Sequence, residues 1–522
     1  MPPLNWRTRE QDLKAAANTE YRLLVEDEQY GCGDSGTGNS IVKGDNLEAL
    51  KALLPFYAGQ VKCIYIDPPY NTGSAFEHYD DNMEHTIWLS MMYPRLELLK
   101  QFLREDGAIF IQLDDNEQAY TKVVCDEIFG RNNFVANIIW QKKYSPQNDA
   151  KWLSDNHDFI VLYARNKELW RPNLLPRTEA MNARYKNHDN DHRGVWKSGD
   201  LSVKTYNEST DYPITTPSGR IVNPPAGYCW RVSKTKLQEM IADNRIWFGP
   251  KGNSVPSIKR FLSDVKQGAT SLTIWLYQEV GHNQDAKKEI KALIPDDVFS
   301  TPKPERLIQR ILTLATAPGD YVLDSFLGSG TTAAVAHKMG RRYIGVEMGE
   351  QAKTHCVARL KKVIEGEAGG ISEAVGWKGG GGFRFFTLGE AVFDREGRIK
   401  PDISFEHLAA HIWFTETKTP MNRHISCNRK KKSSFLGIHD GTAYALLYNG
   451  ILGDKSVSGG NILTHATLNH IMGDIDMTAK KAGAEFKYRQ MVIYGEATRL
   501  THVSLQFNNI IFKQTPYDIK VW

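Results

Sequence analysis

An α/β fold with a largely parallel sheet is the class this sequence predicts. Three observations carry it: short apolar runs that end at prolines, glycines or acidic residues, helical apolar spacing between those runs, and their alternation over residues 40–165 and again over 304–347. In the first stretch, residues 61–66 (VKCIYI) read as a buried strand stopped by Asp67, Pro68 and Pro69. Residues 86–103 carry apolar positions at helical spacing, 108–113 (AIFIQL) read as the next buried strand, and 133–140 and 158–163 supply two more. In the second stretch, 304–316 read as a helix, 321–326 (YVLDSF) as a strand, 331–339 as a helix and 342–347 (RYIGVE) as a strand. From 164 to 298 the periodicity gives way to Asn, Pro, Gly and aromatics, including Trp196, Trp230, Trp247 and Trp275, which predicts an inserted domain. A glycine cluster at 379–382 precedes a mixed tail, so a boundary is placed near residue 370.

Size and composition set the outer limits. A chain of 522 residues is long enough for about three domains. With 41% hydrophobic and 24% charged residues it is an ordinary globular composition, which excludes a disordered protein, and no apolar run approaches the roughly 20 residues of a membrane span. The first ten residues are polar and charged, without the apolar core of a secretory leader, so a cytoplasmic location is expected. The six cysteines, Cys32, Cys63, Cys125, Cys229, Cys356 and Cys427, lie far apart with no metal-ligand spacing, which predicts reduced thiols and no metal site. The net charge of +4 permits a nucleic-acid partner without demanding one.

The predicted strand 321–326 runs straight into Leu327, Gly328, Ser329, Gly330, Thr331, Thr332 and Ala333, a G-x-G-x-x-A pattern that opens a helix. Glycines let the backbone turn sharply and approach a ligand, and the helix start offers free N–H groups. Glu347 ends the next strand 19 residues after Gly328, where a carboxylate can accept hydrogen bonds from ribose hydroxyls. A nucleoside-containing ligand fits this loop, and a dinucleotide suits it as well as S-adenosylmethionine.

The tetrapeptide Asp67, Pro68, Pro69, Tyr70 stands at the carboxyl end of the other buried strand, where open α/β sheets bind ligands. Alkylating an exocyclic amine of adenine or cytosine requires two acceptors that oppose delocalisation of its lone pair into the ring. Asp67 supplies a carboxylate, and the Pro68 carbonyl a second acceptor, while the following proline removes a competing N–H. Tyr70 offers a flat face on which an extruded base can stack.

Asp67-Pro-Pro-Tyr70-Asn71-Thr72-Gly73, lying ahead of Phe326-Leu-Gly328-Ser-Gly330-Thr-Thr332, resembles the amino-group DNA methyltransferases of the permuted β class, in which the catalytic motif precedes the cofactor motif. Thr301-Pro-Lys303-Pro-Glu305 resembles that class's cofactor-side motif, and Gly44-Asp45-Asn46 its adenine-contacting acidic turn. The resemblance covers roughly residues 40 to 385, and the wording of the middle segment is most similar to the modification subunits of type III restriction-modification systems.

This resemblance implies a Rossmann-like methyltransferase fold with circularly permuted motif order, an inserted target-recognition domain and a C-terminal α+β domain. The expected parts are an N-terminal extension (1–40), a catalytic half (41–165), the insert (166–298), a cofactor half (299–370) and a tail for dimerisation or partner docking (371–522). It further implies S-adenosylmethionine held by Asp45, Lys303, Asp324, Phe326, Gly328, Ser329, Gly330, Thr331 and Glu347, with Asp67, Pro68, Pro69 and Tyr70 holding the target base. Aspartate at the first position of the tetrapeptide goes in this family mostly with adenine, which points to N6 methylation, with N4 of cytosine as the alternative. A nucleotide-dependent oxidoreductase would leave residues 67–70 and the aromatic insert unexplained. Implied partners are double-stranded DNA, a second copy of the chain and a helicase-nuclease restriction subunit; the sequence has no GxxxxGK[ST] loop, so ATP-driven work falls to another protein. Lys142, Lys143, Lys151, Arg165, Arg171 and Arg193 are candidates to meet phosphates, and the basic run 429–432 in the tail is a weaker one.

Overall fold

The computed structural model describes residues 4–72, 84–148, 150–265, 268–295, 299–393, 399–400, 403–421, 433–448, 461–483 and 486–515. Gly73, Cys427 and the basic run 429–432 lie outside the described residues. The chain divides into two compact units, one within Met1–Asn173 and Leu272–Trp522, the other within Leu174–Ser271.

The first unit is built on one large sheet. Its elements in chain order are α1 (Arg9–Asn18), β1 (Arg22–Glu26), β2 (Ser40–Lys43), α2 (Asn46–Tyr57), β3 (Val61–Ile66), α3 (His85–Phe102), β4 (Leu103–Leu113), β5 (Phe134–Gln141), β6 (His157–Ala164), β7 (Ile274–Trp275), α4 (Glu305–Ala315), β8 (Tyr321–Asp324), α5 (Thr331–Lys338), β9 (Arg342–Glu347), α6 (Ala358–Glu365) and β10 (Gly382–Ala391). The strand order is β1-β10-β2-β9-β8-β3-β4-β6-β5-β7. Neighbours from β10 to β4 run parallel, and β6 is antiparallel to both β4 and β5. Strands in such a sheet are covered on both faces, which is why Ile41, Val42, Cys63, Ile64, Val322, Leu323, Ile344 and Val346 are all buried.

Helices on the sheet follow from their patterning. Helix α2 begins where the Asp45 carboxylate accepts the N–H groups of Leu47 and Glu48. Helix α4 turns Leu307, Ile308, Ile311, Leu312 and Leu314 onto the sheet, each burial contributing about 2 kcal/mol.

The order of strands reverses between β8 and β3. From β8 the chain passes through α5 to β9 on one side, whereas from β3 it passes through α3 to β4 on the other. The two strands are nevertheless direct neighbours, with Val322 opposite Cys63 and Leu323 opposite Ile64. Loops leaving them diverge and open a crevice at their carboxyl ends, the usual ligand position in such sheets.

Three expected boundaries shift. Residues 1–40 are no mere extension: β1 pairs with β10, and the Lys51 ammonium donates to the carbonyls of Ala16 and Ala17 at the end of α1. No break falls near 370, because the glycines at 379–382 lead into β10, which joins β2 inside the large sheet. Beyond β10 the expected α+β pattern holds, with a four-stranded sheet of β11 (Phe435–His439), β12 (Thr442–Leu446), β13 (Gln490–Gly495) and β14 (Ile510–Gln514), accompanied by α7 (Phe405–Thr417) and α8 (His465–Ala482).

The second unit is narrower than the expected insert, because the chain after residue 271 returns to the large sheet through β7, where Trp275 is buried. It holds a three-stranded antiparallel sheet of Ile246–Trp247, Ser257–Phe261 and Trp196–Asp200. Its core gathers Leu201, Ile214, Val222, Trp230, Leu237, Ile246 and Phe248. The buried Lys259 pairs with Asp189 and Asp191 and lies 5.4 Å from the Trp196 ring. A backbone bridge between Leu175 and Ala269, with N–H to O distances of 2.9 and 2.8 Å, ties the first residues of this unit to its last.

Candidate active site

The two loops at the strand-order reversal carry the residues singled out by their motifs. After β3, the prolines end the strand, and the Trp88 indole of α3 donates to the Pro69 carbonyl at 2.8 Å, which fixes the turn. Asp67 is then held from two sides. Its Oδ1 accepts the Tyr70 hydroxyl at 2.9 Å, and its Oδ2 pairs with the Lys303 ammonium. The same ammonium lies 5.4 Å from the centre of the Tyr70 ring.

Behind the turn runs a buried polar network. The Tyr70 hydroxyl also faces Asp158 Oδ2 at 3.2 Å, and Gln112 Nε2 donates to both, at 3.0 and 3.2 Å. Tyr65 donates to Gln112 Oε1 at 2.7 Å, and Lys142 closes the far end on Asp158 Oδ1 at 2.7 Å. Burial, then the nearby Asp158 and Asp67 carboxylates, hold the Tyr70 phenol well above its ordinary range. Tyr70 is therefore a neutral donor whose single proton serves one carboxylate at a time.

After β8, Asp324 accepts the Phe326 N–H at 2.9 Å and the Thr332 hydroxyl at 2.7 Å. Burial pushes its carboxyl up to about 7. Glu347, at the end of β9, accepts the Gly328 N–H at 2.7 Å, the Gly349 N–H at 3.2 Å and Gln351 Nε2 at 2.9 Å. It supports the glycine loop from behind. Gly330 adopts φ +79°, and a Cβ there would stand 3.2 Å from the Cys356 backbone. Thr331 accepts from Arg359, which also pairs with the buried Glu305 at 2.9 Å, and Lys338 reaches the same carboxylate at 2.8 Å.

One cavity of about 120 Å³ is lined by Asp67, Pro68, Pro69, Tyr70, Lys303, Asp324, Phe326, Gly328, Ser329 and Thr331 among the expected site residues. Asp45, Gly330 and Glu347 do not line it. Asp45 spends its carboxylate on the α2 cap and on Arg95 at 2.8 Å, and Glu347 is engaged by the loop's own backbone. Phe299, Thr301, Pro302 and Thr332 also line the cavity; the middle two stand within the quoted Thr301 to Glu305 motif, and nothing in the sequence marks Phe299. An adjoining cavity of about 470 Å³ shares Tyr70, Thr301, Pro302 and Lys303 and continues past Lys142, Tyr144, Asp158 and His282. Sequence reading missed Gln112 and Asp158, whose one signal is a polar residue within an apolar strand.

Of the proposed phosphate contacts, Lys142 is withdrawn, because it is buried between Asp158 and Asp155. Arg193 is committed to Asp191 at 2.8 Å, and Arg165 lies 3.5 Å from Glu105. Lys151 and Arg171 are exposed, and Lys143 is partly so.

A family model described as DNA methylase matches residues 61–358, which spans both loops and the cavity between them. The chain belongs to this DNA methylase family. It is 35% identical over 407 residues to a probable type III restriction-modification enzyme HindVI Mod subunit of Haemophilus influenzae, the match covering 67% of this chain and 54% of that one. To the type III StyLTI Mod subunit of Salmonella typhimurium it is 33% identical over 353 residues, covering 61% and 53%. To the EcoP15I Mod subunit of Escherichia coli it is 28% identical over 427 residues, covering 67% and 65%. The chain thus spans about half the length of the first two of these relatives. In this member of the DNA methylase family the Asp67 turn precedes the glycine loop in the chain, and β3 and β8 still meet side by side.

Proposed function

We infer that this chain transfers the methyl group of S-adenosylmethionine to N6 of an adenine swung out of double-stranded DNA, as the modification subunit of a restriction-modification system. The observation that supports this most is the single cavity joining Asp67, Pro68 and Tyr70 to Asp324 and the Gly328 loop. Its residues fit the cofactor: a buried carboxylate, Asp324, that would counter a cationic sulfur, apolar walls from Phe326 and Leu327, and backbone of Gly328 and Ser329 at the start of α5. When bound, S-adenosylmethionine supplies an electrophilic methyl group. Lys303, at the junction of the two cavities, would hold its carboxylate.

The chain's own residues prepare the amine. Asp67 and the Pro68 carbonyl accept its two hydrogens and draw the lone pair out of conjugation with the ring, while Tyr70 fixes the Asp67 oxygen that does so and offers its ring to the base. Asp67, a carboxylate lining this cavity, takes up the proton released on methylation. The adjoining cavity, walled by Tyr144 and His282, suits a base. Among the described residues no group of His, Cys, Asp and Glu forms a metal site, and this chemistry asks for none.

The likeness to type III Mod subunits supports a restriction subunit as partner; we propose the residues beyond β10 as the part that docks it or a second copy of the chain. No helix of the described residues is long and apolar enough to cross a membrane, in keeping with a cytoplasmic setting. The test is to incubate the protein with S-adenosylmethionine and unmethylated genomic DNA and to analyse the digested nucleosides by mass spectrometry. N6-methyladenine that disappears with Asp67→Asn is the expected result. N4-methylcytosine would overturn the base, and no methylated nucleoside would overturn the reaction.

A further inference from the structure

The turn between β5 and β6 stands on the same edge of the sheet as the active site. Strand β4 runs parallel to β3, and β6 returns antiparallel to β4, so the end of β5 and the start of β6 lie beside the carboxyl ends of β3 and β4. The turn's base is locked: Lys142 pairs with both Asp155 and Asp158 at 2.7 Å, and Gln147 N–H donates to the Ser154 hydroxyl at 2.8 Å. Its near side, Lys143, Tyr144 and Gln147, forms a wall of the larger cavity.

Beyond this base the turn displays two large apolar side chains to solvent. Trp152 is 84% exposed and Leu153 is 92% exposed, the greatest exposures among large hydrophobic residues of the described chain. The Lys151 ammonium sits 5.2 Å from the Trp152 ring, and Lys143 and Lys287 add positive charge at the cavity rim. An aromatic and an aliphatic side chain raised beside a base-sized cavity, flanked by lysines, match what wedging between stacked bases requires: apolar surface for the stack and cations for the phosphates.

We propose that Trp152 and Leu153 enter the DNA duplex at the position the target base leaves, and so hold that base in the cavity bounded by Tyr70 and Tyr144. The proposal rests on the methyltransferase reading above. Its reach follows from the network Tyr70–Asp158–Lys142, which ties the turn's base to the residue that orients Asp67 and so fixes the wedge relative to the reacting amine. Lys143 and Lys151 contact the flanking phosphates.

The experiment uses the full chain and two duplexes that carry the site mapped by genomic methylation. In one the target adenine is paired, and in the other it faces an abasic position and is already free to leave the stack. Trp152→Ala/Leu153→Ala should lower kcat/KM about 100-fold on the paired duplex and bring it within about threefold of the unaltered chain on the unpaired one, since the wedge matters only where pairing must be broken. Calorimetry with S-adenosylmethionine should give unchanged affinity, showing that the variant is folded. An equal loss on both duplexes, or no loss on the paired one, overturns the wedge. If the unaltered chain methylates neither duplex, the reading of the reaction fails and the wedge falls with it.

Discussion

Asp324 should make both stability and cofactor affinity depend on pH in opposite senses, and Asp324→Asn should remove both effects. Burial carries its carboxyl from an ordinary 3.8 to about 7. The folded chain therefore binds this proton more tightly than the unfolded one, so the stability it contributes is full at low pH and is lost as the pH rises through that interval. At about 1.4 kcal/mol per pH unit, keeping the ionised form buried costs about 4 kcal/mol above pH 7. Asparagine has nearly the same shape: its oxygen can accept the Phe326 N–H, and its amide can donate to Thr332. In urea unfolding, the advantage of Asp324→Asn over the unaltered chain should grow by about 3 kcal/mol between pH 5 and pH 8, then level off. A cationic sulfur favours ionised Asp324, so S-adenosylmethionine affinity, measured by calorimetry, should fall as the pH drops below about 7, while S-adenosylhomocysteine, without the charge, should show little of this. An advantage independent of pH, or undiminished S-adenosylmethionine binding by the variant at pH 8, would refute the reasoning.

Other outcomes follow from the same geometry. Asp67→Asn should keep S-adenosylmethionine affinity within a few-fold in calorimetry while methyl transfer falls at least about 100-fold, because the lost acceptor serves the amine and not the cofactor. Glu305→Gln takes from the buried Arg359 the carboxylate it pairs with and leaves Lys338 on Glu367, and should cost about 3 kcal/mol in urea unfolding. Gly330→Asp should weaken cofactor binding by distorting the loop, since the new side chain would point at Cys356 and not into the cavity; thermal unfolding should show the loss even without ligand. A chain ended after residue 370 lacks β10 and should fail to fold, whereas one ended after residue 400 keeps that sheet partner and should still bind S-adenosylmethionine.

The βαβ rhythm was legible because each of its signals is local: apolar runs, prolines after β3, glycines after β8. What stayed hidden depends on pairing at a distance. RLLVE in β1 and GFRFFTLGEA in β10 read as strands once their partners are known, yet nothing within either segment names the other, and the glycines before β10 resemble a linker. The cavity residues at 67–70, 303, 324, 326–329 and 331 were legible from motifs, whereas Asp45 and Glu347 stand where spacing put them but spend much of their hydrogen-bonding capacity on nearby backbone. Charge counts are equally blind to partners: Lys142 looks like a surface lysine in the sequence, and only the fold of β5 against β6 seats it on Asp158. Exposure is invisible as well, so Trp152 reads like Trp196, although one faces water and the other is buried.

The bridge between Leu175 and Ala269 closes the two ends of the second unit into a stem. A part that both leaves and rejoins its host at one point can be cut out and replaced by another of different sequence without disturbing strand pairing in the host. The unit can therefore be exchanged as a cassette while the loops after β3 and β8 pass on unchanged. The same stem gives the protein engineer two adjacent junctions at which to graft.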